Sequence, residues 1–283
     1  MSRITAPPSW MRLTGVRLLL LFLIFALVSG VVNAINMAVS GLPLVALISG
    51  LVTAGLAILA YRVVTGWLEQ RAVTEAEPGT LLREAGRGTL IGIALFTVTI
   101  AVIAIFGGYR IGGGGSFGAM ISTFGLMCGV AVVEEIMLRG VVFRIVEQWA
   151  GTVVALAVSG LLFGALHLFN DGATIWGALA IAAEAGIMLG AAYVATRSLW
   201  LPIGLHLGWN FAELGLFGAT VSGSGLRDGG LVRGLATGSD AVSGGAFGPE
   251  ASIFAVIAGV AVSVVLLRRA AKAGRIVAPS WRR

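Results

Sequence analysis

Long apolar runs, rather than alternating apolar and polar positions, dominate this chain. Eight stretches are apolar enough and long enough to be read as helical spans, at roughly 17–39, 44–66, 89–108, 117–148, 151–169, 173–196, 200–218 and 251–268. The pattern predicts an all-α, polytopic membrane protein with about eight transmembrane helices. The fourth run is too long to lie wholly in lipid. Its second half carries Arg139, Arg144 and Glu147, so it is expected to project into water or to line a polar cavity. Three segments follow: residues 1–114 with the first three helices, 115–217 with helices four to seven, and 218–283 with a Gly/Ser-rich loop, the last helix and a basic tail.

Between the runs, the linker after helix two mixes Glu69, Glu75, Glu77 and Glu84 with arginines and reads as a solvated loop. The segment from Gly218 to Glu250 reads as a flexible connector. Gly186 and Gly190, and Gly204 and Gly208, have the spacing that lets helix backbones approach closely.

Composition supports the membrane reading. The 283 residues are 58% hydrophobic and only 11% charged, whereas soluble domains carry roughly 25% charged residues. The net charge of +6 has no soluble basic face to serve nucleic acid. It distributes as a topological signal instead. Arg3, Arg12 and Arg17, then Arg62 to Arg87, then Arg197, then Arg268 to Arg275 fall on one side of an eight-span array, which predicts cytoplasmic termini in a cell membrane. The Ala/Gly/Arg-rich usage suggests a bacterial source. The apolar run continues to Val39, which suits a span better than a cleaved leader. Cys128, the only cysteine, lies in an apolar stretch without a basic neighbour and is read as packing.

Charged groups inside apolar helices need a reason. Glu134 and Glu135 are adjacent, and Arg139 follows Glu135 by four residues, so Glu135 and Arg139 share a helix face while Glu134 points about 100° away. A buried ion pair that holds helices together explains the pair alone. The two histidines add more. His167 and His206 both fall in apolar runs, and Asn210 lies one turn beyond His206. If the chain reverses near Trp149 to Gly151, Glu134 and His167 stand level in an antiparallel hairpin. A carboxylate in an apolar setting suits a base that activates water. An amide such as Asn210 suits a developing oxyanion. Two histidines and a carboxylate (His167, His206 and Glu134) are also a donor set for Zn²⁺ with one open position, although HExxH is lacking.

These residues resemble the motifs of the CPBP group of membrane proteases (CAAX proteases and bacteriocin-processing enzymes, also called Abi proteins), related to type II CAAX prenyl endopeptidase. Glu134, Glu135 and Arg139 match EExxxR, Phe163 and His167 match FxxxH, and His206 and Asn210 match HxxxN. The resemblance covers about residues 115–215. It implies hydrolysis of peptide bonds in a membrane-delivered or C-terminal peptide. Glu134 would be the water-activating base with His167 beside it, and His206 and Asn210 would stabilise the oxyanion. Glu135 and Arg139 would act as structural partners. Both a metal-assisted and a metal-free route are compatible with the resemblance. A proton-coupled carrier would also bury Glu, His and Arg, but no internal repeat supports it. An inactive scaffold would not require the intact motif set. Glu184 is expected to pair with Arg139 or the Arg197 side, or to border the cavity. Glu213 is expected near the face of Asn210, and Asn170 and Asp171 are expected to form a turn.

Overall fold

The computed structural model describes residues 7–226 and 229–282, so the charges at Arg3 and Arg283 lie outside the described residues. The helices are α1 (Thr14–Val39), α2 (Pro43–Glu69), α3 (Leu81–Ile105), α4 (Phe117–Glu135), α5 (Arg144–Leu166), α6 (Ile175–Ile181), α7 (Ile187–Thr196), α8 (Trp200–Asn210), α9 (Asp240–Ser243) and α10 (Ile253–Lys272). Side chains seed several of them. Ser116, Thr174 and Ser252 accept hydrogen bonds from backbone N–H groups in the first turns of α4, α6 and α10, which would otherwise be unpaired.

The all-α polytopic class is borne out. Among the described residues, six helical runs are long and apolar enough to cross a membrane. Their outer faces carry the apolar side chains that a soluble protein would bury. Leu27 is 70% exposed, Leu90 70% and Ile105 81%. The expected count of eight is not reproduced, for two reasons. The fourth and fifth runs form one hydrogen-bonded stretch, Phe117–Phe169. The seventh, α8 with its continuation, is too short to qualify by length.

The long stretch nevertheless folds back on itself. Gly151 adopts φ 79°, ψ 171°, a conformation that disfavours any side chain. Arg139 and Phe163, twelve residues to either side of it, meet with the guanidinium 5.2 Å from the ring centroid. The reversal is braced from outside the hairpin. Thr152 N–H donates to Val277 O (2.9 Å), and Val277 N–H donates to Thr152 Oγ1 (2.8 Å).

Three stretches relax from α- to π-helical bonding: Ile136–Phe143 after α4, Ala182–Gly186 between α6 and α7, and Phe211–Leu216 after α8. Each adjoins or contains an intramembrane carboxylate, and such widened turns recur at functional sites.

Both GxxxG pairs are packing devices. A Cβ on Gly204 would lie 2.1 Å from Ala85 O, and one on Gly208 2.1 Å from Thr89 O. The backbones of α3 and α8 therefore touch there, which fixes the depth of His206 and Asn210. Gly186 meets Gly160 in the same way.

Two expectations about polar segments are overturned in part. The second half of the long fourth run does not reach water: Arg144 is 7% and Glu147 5% exposed. Arg144 donates to both oxygens of Glu69 (2.8 and 2.7 Å), and Arg197 donates to Glu147. The linker after α2 is drawn inward at Val73, Glu75 and Ala76, because these arginines need acids, while Glu77 stays solvated as expected. Glu75 is buried and accepts from Arg71. Burial disfavours the Arg71 charge, but hydrogen bonds to Glu75 and Glu69 outweigh it and hold its pKa above the ordinary arginine value. Arg83, Glu84 and Arg87 belong to the first turns of α3. The Gly/Ser-rich segment is also not wholly a connector. Strand β2 (Val232–Ala236) pairs antiparallel with β1 (Tyr109–Gly114), the strand that contains the glycine run before α4.

Substituting Gly208 with valine should force α3 and α8 apart. The expected cost is about 1–3 kcal/mol of stability, read as a lowered thermal midpoint in detergent, with Gly30→Val in open space as the unaffected control.

Candidate active site

Glu135 and Arg139 are both fully buried, and Arg139 Nη1 donates to Glu135 Oε1 at 2.8 Å. Arg139 Nη2 spans to α6–α7 through Ala185 O (3.2 Å) and Gly186 O (2.9 Å). The same Glu135 oxygen lies 3.0 Å from His206 Nδ1. Glu135 thus ties α4 to α8 directly and to α6–α7 through Arg139. Glu134 points elsewhere, as helix geometry requires. It is 22% exposed, and its Oε2 lies 3.9 Å from His206 Nε2.

Glu134 opens onto a cavity of about 300 Å³ whose wall also includes Met137, Phe163 and His167. The level placement of Glu134 and His167 across the hairpin is therefore borne out. Phe163 organises the floor. Its carbonyl O lies 2.7 Å from His167 Nδ1, and its ring centroid lies 4.6 Å from that of His167 and 6.0 Å from that of His206.

The two imidazoles are held alike. Each directs Nδ1 at an acceptor oxygen, a carbonyl for His167 and a carboxylate for His206, so Nδ1 carries the proton and Nε2 is left for chemistry. Asn210 is 7% exposed, and its amide makes no hydrogen bond to any described group. His206 and Asn210 do not form the cavity wall itself; they stand behind Glu134 on α8. Nε2-free histidines with anchored Nδ1 atoms are suitable metal ligands. However, among the described residues no three His, Cys, Asp or Glu side chains are grouped so as to hold a metal ion.

The remaining expectations divide. Glu184 meets neither Arg139 nor Arg197. It is fully buried among acids, with Glu250 and Glu213 as its acidic neighbours. Glu213 faces Glu250 as well, and Ser222 Oγ donates to Glu250 Oε2 at 2.6 Å. This acid cluster was not foreseen, because Glu250 reaches it from the far end of the Gly/Ser-rich segment. Asn170 does turn the chain, since Ala173 N–H donates to its carbonyl (3.0 Å). It also borders the cavity and donates to Ser222 O at 2.7 Å.

A helical membrane protein with a carboxylate and an imidazole on a cavity wall, and a second imidazole and a free amide on the helix behind, has the outline of a membrane hydrolase. Residues 96–212 match the family described as type II CAAX prenyl endopeptidase Rce1-like, so the resemblance to the CAAX proteases holds over this stretch. No curated protein and no solved structure matches the chain. The matched stretch carries all three motifs and leaves out α1 and α2.

Removing one partner of a buried ion pair strands the other charge. Arg139→Met is expected to cost about 3–5 kcal/mol. The combined Glu135→Leu and Arg139→Met variant should regain part of that loss in thermal unfolding.

Proposed function

We propose that this protein is an intramembrane endopeptidase that hydrolyses peptide bonds with water activated by Glu134. The observation that carries the reading is the division of labour between two adjacent carboxylates. Glu135 is committed to Arg139 and His206, whereas Glu134 lies on the cavity wall opposite His167. A base needs a free oxygen within reach of water, and only Glu134 of the two has one.

In this reading, Glu134 takes a proton from a water in the cavity as the oxygen attacks the scissile carbonyl. The Asn210 amide donates to the oxyanion that forms, and so does His206 as the imidazolium, which carries a proton on Nε2 as well as Nδ1. The proton then passes to the departing amine, with His167 Nε2 as its carrier. Glu135 and Arg139 position His206 and do not touch substrate. No step is routed through a metal. The substrate is a peptide delivered from the membrane or presented at a C-terminus, in keeping with the Rce1-like match. The arginine distribution supports cytoplasmic termini in a cell membrane.

Purified protein tested on a synthetic peptide library, with and without a chelator, checks this. Glu134→Gln should abolish cleavage while the folded protein is retained. Asn210→Ala should lower kcat by about 10²–10³-fold, the loss expected for one oxyanion donor. The chelator should leave the rate unchanged. Full activity in both variants would sink the reading.

A further inference from the structure

Helix α1 lies outside the matched residues, yet it builds one side of the cavity. Phe22, Ala26, Ser29 and Asn33 all border it. Steps of four, three and four residues put them on a single face. The opposite side of α1 is a lipid-type surface, with Leu23, Leu27 and Val31 all more than half exposed. Ser29 and Asn33 are therefore the polar groups within the apolar stretch 18–35 of α1, and both border the cavity. Neither forms a hydrogen bond with any described group, although a helical serine commonly bonds back to its own helix. Asn36, by contrast, is already committed to Leu126 O at 3.3 Å. Ser29 is half-buried and Asn33 exposed, so both are free to bind a partner that enters the cavity.

From Phe22 to Asn33 the strip runs about 16 Å at 1.5 Å per residue. An extended chain spans about 3.3 Å per residue, so roughly five residues fit along it. One end of the strip offers Phe22 and Ala26, and the other offers an amide and a hydroxyl.

We propose that this face of α1 binds the substrate as an extended peptide running past Glu134, with Ser29 and Asn33 hydrogen-bonding its main chain. Phe22 and Ala26 seat an apolar side chain of the same peptide. The preferred substrate is thus an extended segment with an apolar residue on the Phe22 side of the scissile bond. This rests on the hydrolase reading and adds to it the element that selects and aligns the substrate. Ser29 and Asn33 are binding residues and move no proton.

The test uses the full chain in detergent and a peptide from the synthetic library that wild type cleaves. The combined Ser29→Ala and Asn33→Leu variant should raise KM about tenfold with kcat within about twofold, the mark of lost uniform binding. Leu27→Ala, on the lipid side, should match wild type, and Phe22→Ala should change which apolar side chain is preferred. A binding readout independent of turnover uses Asn33→Cys in a Glu134→Gln background. The native Cys128 is buried, so the new thiol reports on the strip, and the peptide should slow its alkylation. Unchanged KM together with unprotected alkylation, while Glu134→Gln alone remains inactive, would overturn the α1 assignment and leave the hydrolase standing. Equal cleavage by wild type and Glu134→Gln would overturn the hydrolase itself.

Discussion

A charge shut away from water must find its counter-charge within the protein, and Glu135 is where this molecule meets that demand. Its carboxylate, Arg139 and His206 form one connected unit at essentially zero exposure. Such a unit gains little over apolar packing of the same shape, but a missing member would leave a bare ion in a dry interior. The arrangement therefore acts as a registration device. Helix α4, with the π-helical stretch that follows it, and α8 can assemble only in the register that brings the three side chains together, and that register places Glu134 beside His206.

A second set of buried charges works at the Gly151 end of the bundle. Arg144, Glu69, Arg71 and Glu75 knit α2, its linker and the π-helical stretch before α5. Tyr61 Oη stands 2.6 Å from Glu75 Oε1 and 2.8 Å from Gly140 O, and its single proton can serve one of them at a time. Gly140 O also accepts from Arg144 Nε at 2.8 Å. A π-helical turn releases carbonyls from their usual partners, and this network supplies replacements. The irregular backbone beyond Glu134 is thus held by neighbours rather than by its own helix.

The chemistry was more legible in the sequence than the backbone that carries it. The 100° step between adjacent helical residues was enough to separate the roles of Glu134 and Glu135. Equal spacing about Gly151 was enough to set Glu134 level with His167. The two GxxxG spacings also read correctly as close helix contacts. What stayed hidden depends on distant partners. The π-helical stretches have no composition of their own. Glu75 and Glu147 look like solvated charges until Arg71 and Arg197 are placed against them. The pairing of Tyr109–Gly114 with Val232–Ala236 joins two glycine-containing segments more than a hundred residues apart. Glu250 joins Glu184 and Glu213 only because that pairing folds its segment back over the bundle.

The brace at Gly151 has a mechanical consequence. Thr152 and Val277 exchange a reciprocal pair of hydrogen bonds, and a Cβ on Gly151 would sit 2.7 Å from Val277 O. The chain beyond α10 is therefore wedged into the apex of the hairpin whose arms hold the base and the first imidazole. A pull on that tail would be felt as torque at the apex and carried along both arms to Glu134 and His167.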